Sequence, residues 1–385
     1  MPYIRTMCRY HVQEKPNFCG ATAAMMILAQ QGKDIDKLDQ MALYGVLASA
    51  IGSGIATLPA ALVNVLNGEI PGAFRLVTEN SASGVARHVI QSLLHKIPSA
   101  VTIYGDGHWA VVEGVSTDVD PTLGQPYKVS KVWMHNPSPG AVAGVPPHKP
   151  DDGCGSLGLP GIKEDGYDYR DWLSLVSLPE DANFKSKCVV SSQPTQIEQP
   201  MSPFPLPPAE HPFNKERAEL ALRENLDFET LSRLSPSGEV TAKSLGLVHS
   251  LAEGISDYYL VSVADDRGII GLARIDANRP WLRSIGILGR PQEQIVPDGK
   301  KVLHALMNSE IPSIPGSLPE FDWWWKARLE ESRLVWRPCQ ESLSPYLPFL
   351  AVPLGANLQP QRHAFVRFTI EPSVSLELTN PLQGG

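Results

Sequence analysis

Two side chains near the start of the chain have the types and spacing for thiol-based acyl chemistry. Cys19 follows a loop broken by Pro16 and Asn17 and begins the apolar run CGATAAMMIL, residues 19–28, which predicts a buried helix. The first turn of a helix presents unpaired N–H groups and a partial positive charge, and both lower the pKa of a thiol. Gln13, six residues earlier, could donate its side-chain amide to an oxyanion, with the Cys19 backbone N–H as the second donor.

Two later segments supply a base and a residue to orient it. His108 begins the apolar run HWAVV, and Asn136 ends the strand-like run KVWMHN just before a proline. A thiol, a histidine base and an amide that holds the histidine tautomer form the Cys-His-Asn arrangement of thiol hydrolases. Each residue alone fits an ordinary structural role, but in this order, each at the end of a predicted element, they favour catalysis. If the strand register differs, three aspartates could replace Asn136: Asp106, Asp118 and Asp120.

These motifs resemble the papain-like cysteine peptidases. CGAT opening a helix, GHWAVV opening one strand and HNP closing another follow the order of that superfamily, and the bacterial double-glycine leader peptidase branch is the most similar. The resemblance covers about the first 180 residues. It implies a cysteine peptidase with a helix carrying Cys19 packed on an antiparallel sheet, in which His108 is the base, Asn136 orients it and Gln13 binds the oxyanion. The bacterial branch has Asp where this chain has Asn136; Asn is the papain-type residue.

Substrate contacts are predicted beside these residues and in one loop. The neighbours of the nucleophile and the base are the first group: Gly20, Gly107 and Trp109. Three small residues interrupt the apolar segment 45–68: Gly52, Ser53 and Gly54. They indicate either a substrate-facing loop or a flexible helix–helix connection. Residues 138–166 are rich in Gly and Pro, and a long loop of this kind following Asn136 is typical of a lid or a specificity loop.

The composition narrows the classes of partner. The chain has 385 residues, 43% of them hydrophobic and 19% charged, with a net charge of −8. Such a composition is that of a folded globular protein. The negative charge and the lack of a basic block argue against a nucleic-acid partner. The chain has no run of ~18 apolar residues, so no membrane helix is predicted. We expect a protein or peptide substrate, neither nucleic acid nor membrane as partner, and leave the oligomeric state open.

Cysteine usage bears on the compartment and on metals. Five scattered cysteines fit a reducing compartment better than a disulfide scaffold. The start, MPYIRTMCRYHV, lacks the apolar core of a secretory signal, so the cytoplasm is expected, with signal-free export left open. Cys8 and His11 have a zinc-like spacing, but no second ligand pair accompanies them. No metal site and no cofactor are therefore predicted.

The patterns predict an α+β protein in two domains. A papain-like domain spans 1–192, a proline-rich linker spans 193–213, and an accessory α+β domain of unknown role spans 214–385. The linker composition favours an extended spacer, or a segment docked on the first domain. In the first domain the patterns predict helices over 19–31, 35–44, 58–66, 81–98 and 167–176, and strands over 73–80, 127–137 and 184–192. Residues 99–117 are predicted to form two strands joined by a Gly-Asp-Gly turn. In the second they predict helices over 215–226, 300–309 and from 322, a hairpin over 257–277, and strands over 281–288, 349–354 and 363–370.

Two alternative functions are compatible with the same residues. The same acyl-enzyme could pass to an amine instead of water, which would make the protein an acyltransferase, a peptide ligase or a transglutaminase-like crosslinker. A peptidase fold that has lost turnover could instead act as a binding protein, with the second domain recruiting a partner. All three functions place the same cleft around Cys19.

Overall fold

The computed structural model describes most of the chain, and everything below concerns those residues. The residues outside the description are 1, 15–17, 35–36, 50–57, 106–107, 138–161, 178–184, 194, 236–237, 253, 310–321, 340–341, 343, 355–362, 369–371 and 379–385. Several predicted features fall there: Asp106, Gly107, the 52–54 loop and most of the 138–166 loop.

The first half of the chain combines helices with short strands. Its helices are α1 Cys19–Gln30, α2 Gln40–Ser49, α3 Pro59–Glu69, α4 Ala82–Leu94 and α5 Tyr169–Ser177. Its strands are β1 Tyr3–Arg5, β2 Phe74–Glu79, β3 Ser99–Ile103, β4 His108–Thr117, β5 Val129–His135, β6 Ile162–Asp168 and β7 Ser186–Ser191.

The second half is richer in strands. Its helices are α6 Lys215–Asn225, α7 Phe228–Leu234, α8 Gly299–Asn308 and α9 Asp322–Glu330. Its strands are β8 Thr241–Ser250, β9 Tyr258–Asp265, β10 Gly268–Asp276, β11 Leu282–Gln292, β12 Arg333–Trp336, β13 Phe349–Pro353, β14 His363–Arg367 and β15 Val374–Ser375.

One sheet runs through both halves. Its strand order is β15-β14-β13-β12-β8-β9-β10-β11-β6-β5-β4-β3-β7-β2, with β1 paired to β4 off this path. The pairings between described strands are antiparallel except for β12 with β8, which is parallel. The chain is thus an α+β protein, as predicted. None of the helices in the described ranges is both long and apolar enough to cross a bilayer.

The first-half sheet carries a helix on each face. Trp109 and Val111 of β4 share a core cluster with α1, whereas Ala110 and Val112, which alternate with them, share another with α4. Successive residues of a strand point to opposite faces of a sheet. The small residues of α1, which are fully buried, allow this helix to lie close against β4. That packing sets the start of α1 beside the start of β4.

Several helix starts differ from the prediction. The predicted start of the helix over 35–44 is wrong, because α2 begins at Gln40. The carboxylate of Asp39 accepts the N–H of Met41 at 2.8 Å, so Asp39 is the acidic residue that serves the first turn. Helix α3 begins at Pro59, and proline at the first helical position needs no intrahelical partner.

The prediction of one long loop over 138–166 is wrong at its end. Residues 162–168 form β6, paired with β5 on one side and with β11 on the other. The polar sequence IKEDGYD has none of the alternation that marks a strand. Also unpredicted were α7, β8 and β15.

The proline-rich segment contacts both halves. The N–H of Met201 donates to the carbonyl of Tyr127 at 2.9 Å. Further along, the guanidinium groups of Arg170 and Arg279 donate to the carbonyls of Phe204 and Pro207, at 3.1 Å and 2.7 Å. The described part of this segment is therefore held against both halves of the chain.

Candidate active site

His108 and Asn136 meet across two neighbouring strands. Val111 of β4 pairs with His135 of β5, which brings the first residue of β4 near the residue that follows β5. Nε2 of His108 lies 2.7 Å from Oδ1 of Asn136, and both side chains are about 1% exposed. Because an amide oxygen only accepts hydrogen bonds, Nε2 carries the proton. In the neutral ring the lone pair is therefore on Nδ1, for which the described residues offer no hydrogen-bond partner.

Cys19 lies at the first position of α1 and is buried. Three backbone N–H groups are directed at its sulfur, those of Trp109, Gly20 and Cys19 itself. The N–H of Trp109 belongs to the peptide bond that joins His108 to Trp109, so the sulfur lies beside the backbone of the base. The described residues show no hydrogen bond between this sulfur and the His108 ring.

Burial sets the protonation of both groups. It raises the pKa of the Cys19 thiol to about 12, although the three N–H groups act to lower it. It also lowers the pKa of His108 to about 4, against the opposing effect of the hydrogen bond to Asn136. The expectation of a lowered thiol pKa is therefore wrong for this buried form. The helix terminus acts in the expected direction, but loss of hydration outweighs it, and at neutral pH the thiol and the imidazole are both uncharged.

Gln13 lies next to Asn136 in space. Its backbone N–H donates to the carbonyl of Pro137, the residue after Asn136, at 2.9 Å. The side chain of Gln13 is 6% exposed. The structure thus brings the N-terminal segment against the end of β5, where the His108–Asn136 pair lies.

A second amide, that of Gln40, was missed by sequence reasoning. This first residue of α2 is fully buried. Its Nε2 donates to the carbonyl of Val12 at 2.8 Å, and its Oε1 accepts the N–H of Glu14 at 3.0 Å. The residues that it holds are therefore the two neighbours of Gln13. No local pattern marks such a residue, because its partners are more than twenty positions away in the chain.

The predicted substrate contacts occupy different environments. Gly20 is buried in α1, and its N–H is directed at the Cys19 sulfur. The indole of Trp109 packs into the core cluster that includes Cys19 and the rest of α1, and its backbone N–H is directed at the Cys19 sulfur. Next to the nucleophile, Phe18 stacks on Tyr44 of α2 with 4.5 Å between ring centroids. The other four predicted contacts lie outside the described residues: Gly52, Ser53, Gly54 and Gly107.

A separate buried cluster surrounds His135. Its Nε2 lies 3.0 Å from the carbonyl of Cys8 and 3.4 Å from a carboxylate oxygen of Glu113. Burial alone would lower the pKa of His135, but Glu113 raises it well above the ordinary value. These contacts fasten the segment that leads to Gln13. Among the described residues, no group of three or more side chains is arranged to bind a metal ion.

No protein-family model fits the chain, and no curated protein is significantly similar to it in sequence. The interpretation of the site therefore depends on its geometry and its chemistry.

Proposed function

We propose that the protein is a cysteine peptidase that hydrolyses peptide or isopeptide bonds through an acyl-enzyme on Cys19. The observation that carries the proposal is the His108–Asn136 hydrogen bond of 2.7 Å. It fixes the tautomer with the lone pair on Nδ1, in a histidine whose backbone adjoins a cysteine at the start of a helix. A nucleophile, a base and a group that orients the base are the components of this chemistry.

The proton states define the first step. The pKa of His108 is near 4, so its ring is neutral at pH 7 and can accept a proton. As the sulfur of Cys19 attacks the substrate carbonyl, the thiol proton moves to Nδ1 and the carbonyl oxygen becomes an oxyanion. The side-chain amide of Gln13 and the backbone N–H of Cys19 are the proposed donors to that oxyanion. Asn136 continues to accept the Nε2 proton of the imidazolium.

Two further steps complete the turnover. The imidazolium of His108 gives its proton to the leaving amine as the carbon–nitrogen bond breaks, which leaves a thioester on Cys19. Water, deprotonated by His108, then attacks the thioester, and the free acid departs as the sulfur recovers its proton. Every proton is returned by the end of the cycle.

Covalent labelling tests this proposal. We expect peptidyl chloromethyl ketones to alkylate Cys19 at neutral pH, and the His108→Gln variant to react on the order of a hundredfold more slowly, because it lacks the base. Peptide mapping by mass spectrometry identifies the modified residue, and the buried Cys339 is the internal control. Cys19→Ala should retain the fold and lose cleavage of denatured casein. Equal rates of Cys19 alkylation in the wild type and in His108→Gln would contradict the proposal.

One observation favours a binding protein without turnover. The burial of Cys19, with a thiol pKa near 12, is expected for a cysteine that no longer acts as a nucleophile. Iodoacetamide distinguishes the two functions at pH 6. The peptidase should be alkylated at Cys19 faster than free cysteine and more slowly in D₂O than in H₂O, because the proton moves during attack. A rate no faster than that of free cysteine would instead favour the binding protein.

A further inference from the structure

We infer that Gln40 is the positioning residue for the oxyanion donor Gln13. This inference rests on the proposed function, since it assigns to Gln40 the placing of a group that acts only during turnover. Gln40 lies at the start of α2 and belongs to none of the motifs that suggested the site.

The amide of Gln40 brackets Gln13. It donates to the carbonyl of Val12 at 2.8 Å and accepts the N–H of Glu14 at 3.0 Å. A backbone carbonyl can only accept and a backbone N–H can only donate, so these partners fix which end of the amide is nitrogen. Held at the residues on both sides, the backbone of Gln13 has little freedom to rotate.

The same amide is tied to the helix that carries the nucleophile. The hydroxyl of Thr22 lies 2.9 Å from Oε1 of Gln40 and 2.8 Å from the carbonyl of Phe18. Each of these two oxygens also accepts one backbone N–H, that of Thr22 at Phe18 and that of Glu14 at Gln40, so both have a second lone pair for the Thr22 hydroxyl. Thr22 lies one turn beyond Cys19 in α1. The position of the Gln13 segment is thereby set relative to the helix of Cys19.

A third attachment relates the segment to the base. The N–H of Gln13 donates to the carbonyl of Pro137 at 2.9 Å, adjacent to Asn136. Gln13 is therefore held between the Cys19 helix, through Gln40 and Thr22, and the end of β5. Gln40 is fully buried, so water is poorly placed to replace its two backbone hydrogen bonds when the amide is removed.

A purely structural role would give a different result from a positioning role. If Gln40 only stabilised the fold, its loss would lower the free energy of unfolding and leave the turnover of folded molecules unchanged. If it places Gln13, its loss lowers kcat by misplacing an oxyanion donor. The two roles are separated by asking whether the effect of Gln40 depends on Gln13.

A double-mutant cycle measures that dependence. We expect Gln40→Met to lower the kcat for p-nitrophenyl acetate and for a casein-derived peptide roughly ten- to a hundredfold, with KM within about twofold. In a Gln13→Ala background the same substitution should cost less than about threefold, because the donor that it positions is already absent. An equal cost in both backgrounds, or a wild-type kcat in Gln40→Met, would overturn the inference.

Asn67 is the matched control. Its amide makes the same pair of bonds to one backbone residue of β2, donating to the carbonyl of Phe74 and accepting its N–H, both at 2.9 Å. Asn67→Met should lower stability and leave kcat unchanged. A similar fall in kcat in both variants would show that any lost amide clamp impairs turnover, and the role assigned to Gln40 would fail.

Hydrogen exchange keeps the inference testable if turnover is absent. The N–H of Glu14 should exchange at least about tenfold faster in Gln40→Met and in the milder Thr22→Val, because Gln40 holds the acceptor for that N–H. Unchanged protection in both variants overturns the positioning role, whatever the activity. If wild-type Cys19 is not labelled but exchange at Glu14 is altered in the variants, the peptidase proposal alone fails. Gln40 then remains an anchor of this segment.

Discussion

At the scale of single residues, the amide of Asn136 decides the charge of the base. A carboxylate at this position would add a full negative charge beside the imidazole, whereas an amide oxygen supplies only a dipole. The dipole raises the pKa of His108 less than burial lowers it, and the result is a pKa near 4. The side chain that orients the histidine therefore also keeps it neutral at rest.

Replacing Asn136 by Asp should raise the pKa of His108. The new carboxylate accepts the same Nε2 proton and stabilises the imidazolium by direct charge, so the pKa should move from about 4 toward its ordinary value of 6.5. The acid limb of Cys19 labelling should move upward by the same amount. Titration of the ring by NMR, assigned with His108→Gln, measures the shift. Asn67→Asp adds the same charge elsewhere and should leave the titration of His108 unchanged.

The same substitution should alter stability in acid. In the wild-type protein the unfolded chain protonates His108 near 6.5 and the folded one only near 4. The unfolded state thus binds more protons between these values, and stability is lost as the pH falls through this window. This linkage costs about 2 kcal/mol between pH 7 and pH 5. Urea unfolding at both values should show a smaller loss in Asn136→Asp; an equal loss would contradict the neutral histidine.

At the scale of elements, β6 is the strand that links the first-half strands of the sheet to the second-half strands, between β5 and β11. Its polar side chains have partners from other elements: Glu164 receives guanidinium groups of Arg5 and Arg233 at 3.0 Å and 2.5 Å. Gly166 lies opposite Trp133 of β5, and the indole occupies the space above it. Pairing on both edges, together with these ionic contacts, stabilises a strand that its own composition does not favour.

Gly166→Ala should destabilise the protein by about 1–3 kcal/mol. An added Cβ would lie 2.8 Å from the nearest ring atom of Trp133. The ring has little room to withdraw, because the guanidinium of Arg233 lies 3.8 Å from its centroid. Urea unfolding followed by tryptophan fluorescence measures the loss.

Gly45→Ala is the matched control for this substitution. A Cβ at Gly45 in α2 would meet nothing within 4 Å. Alanine is favoured over glycine in a helix, so this variant should gain about 0.5–1 kcal/mol. Similar effects for the two alanines would mean that Trp133 does not fill the space above Gly166.

At the scale of the whole molecule, the two halves share a buried ionic contact as well as a sheet. Asp171 lies on α5, and both of its oxygens are engaged from the second half of the chain. Arg283 of β11 donates to Oδ1 at 2.7 Å and 2.9 Å, and Arg274 of β10 donates to Oδ2. Burial would raise the pKa of Asp171, but the two guanidinium groups hold it below its ordinary value. The carboxylate therefore stays charged within the joined core.

Asp171→Asn should cost about 3–5 kcal/mol, because it leaves two buried guanidinium groups without their counter-charge. Since the contact joins the halves, amide protection should fall together in β3 and β4 of the first half and in β9 and β10 of the second. Hydrogen exchange in the full chain, with urea unfolding, provides both measurements.

An exposed ion pair serves as the control for Asp171. Glu224 accepts from Arg217 at 2.8 Å with about half of its side chain exposed, and such pairs contribute little in water. Glu224→Gln should therefore lose far less stability than Asp171→Asn. The Asp171→Asn protein could instead lose amide protection in only one half of the chain and unfold in urea in two separate transitions. That result would show that the shared sheet does not make one cooperative unit.

Local patterns were enough to predict much of the architecture. The apolar run from Cys19, the amphipathic face of α4 and the valine-rich start of β4 each encode their own element, because helix and strand periods are properties of neighbouring residues. The order of Cys19, His108 and Asn136, each at an element boundary, was also visible in the sequence. The structure joins His108 to Asn136 directly and sets the sulfur of Cys19 beside the backbone of His108.

Other features depend on contacts between distant residues. Strand β6 forms because β5 and β11 pair with it, Gln40 matters because α2 carries it to Val12 and Glu14, and Cys19 and His108 are neutral because the folded core excludes water from them. Pairing edges, hydrogen-bond partners and loss of hydration are set by residues far apart in the chain, so no local window of sequence contains them. Residue types and their order along the chain indicate a nucleophile and a base, whereas the hydrogen-bond partners and the charges of these residues depend on the folded structure.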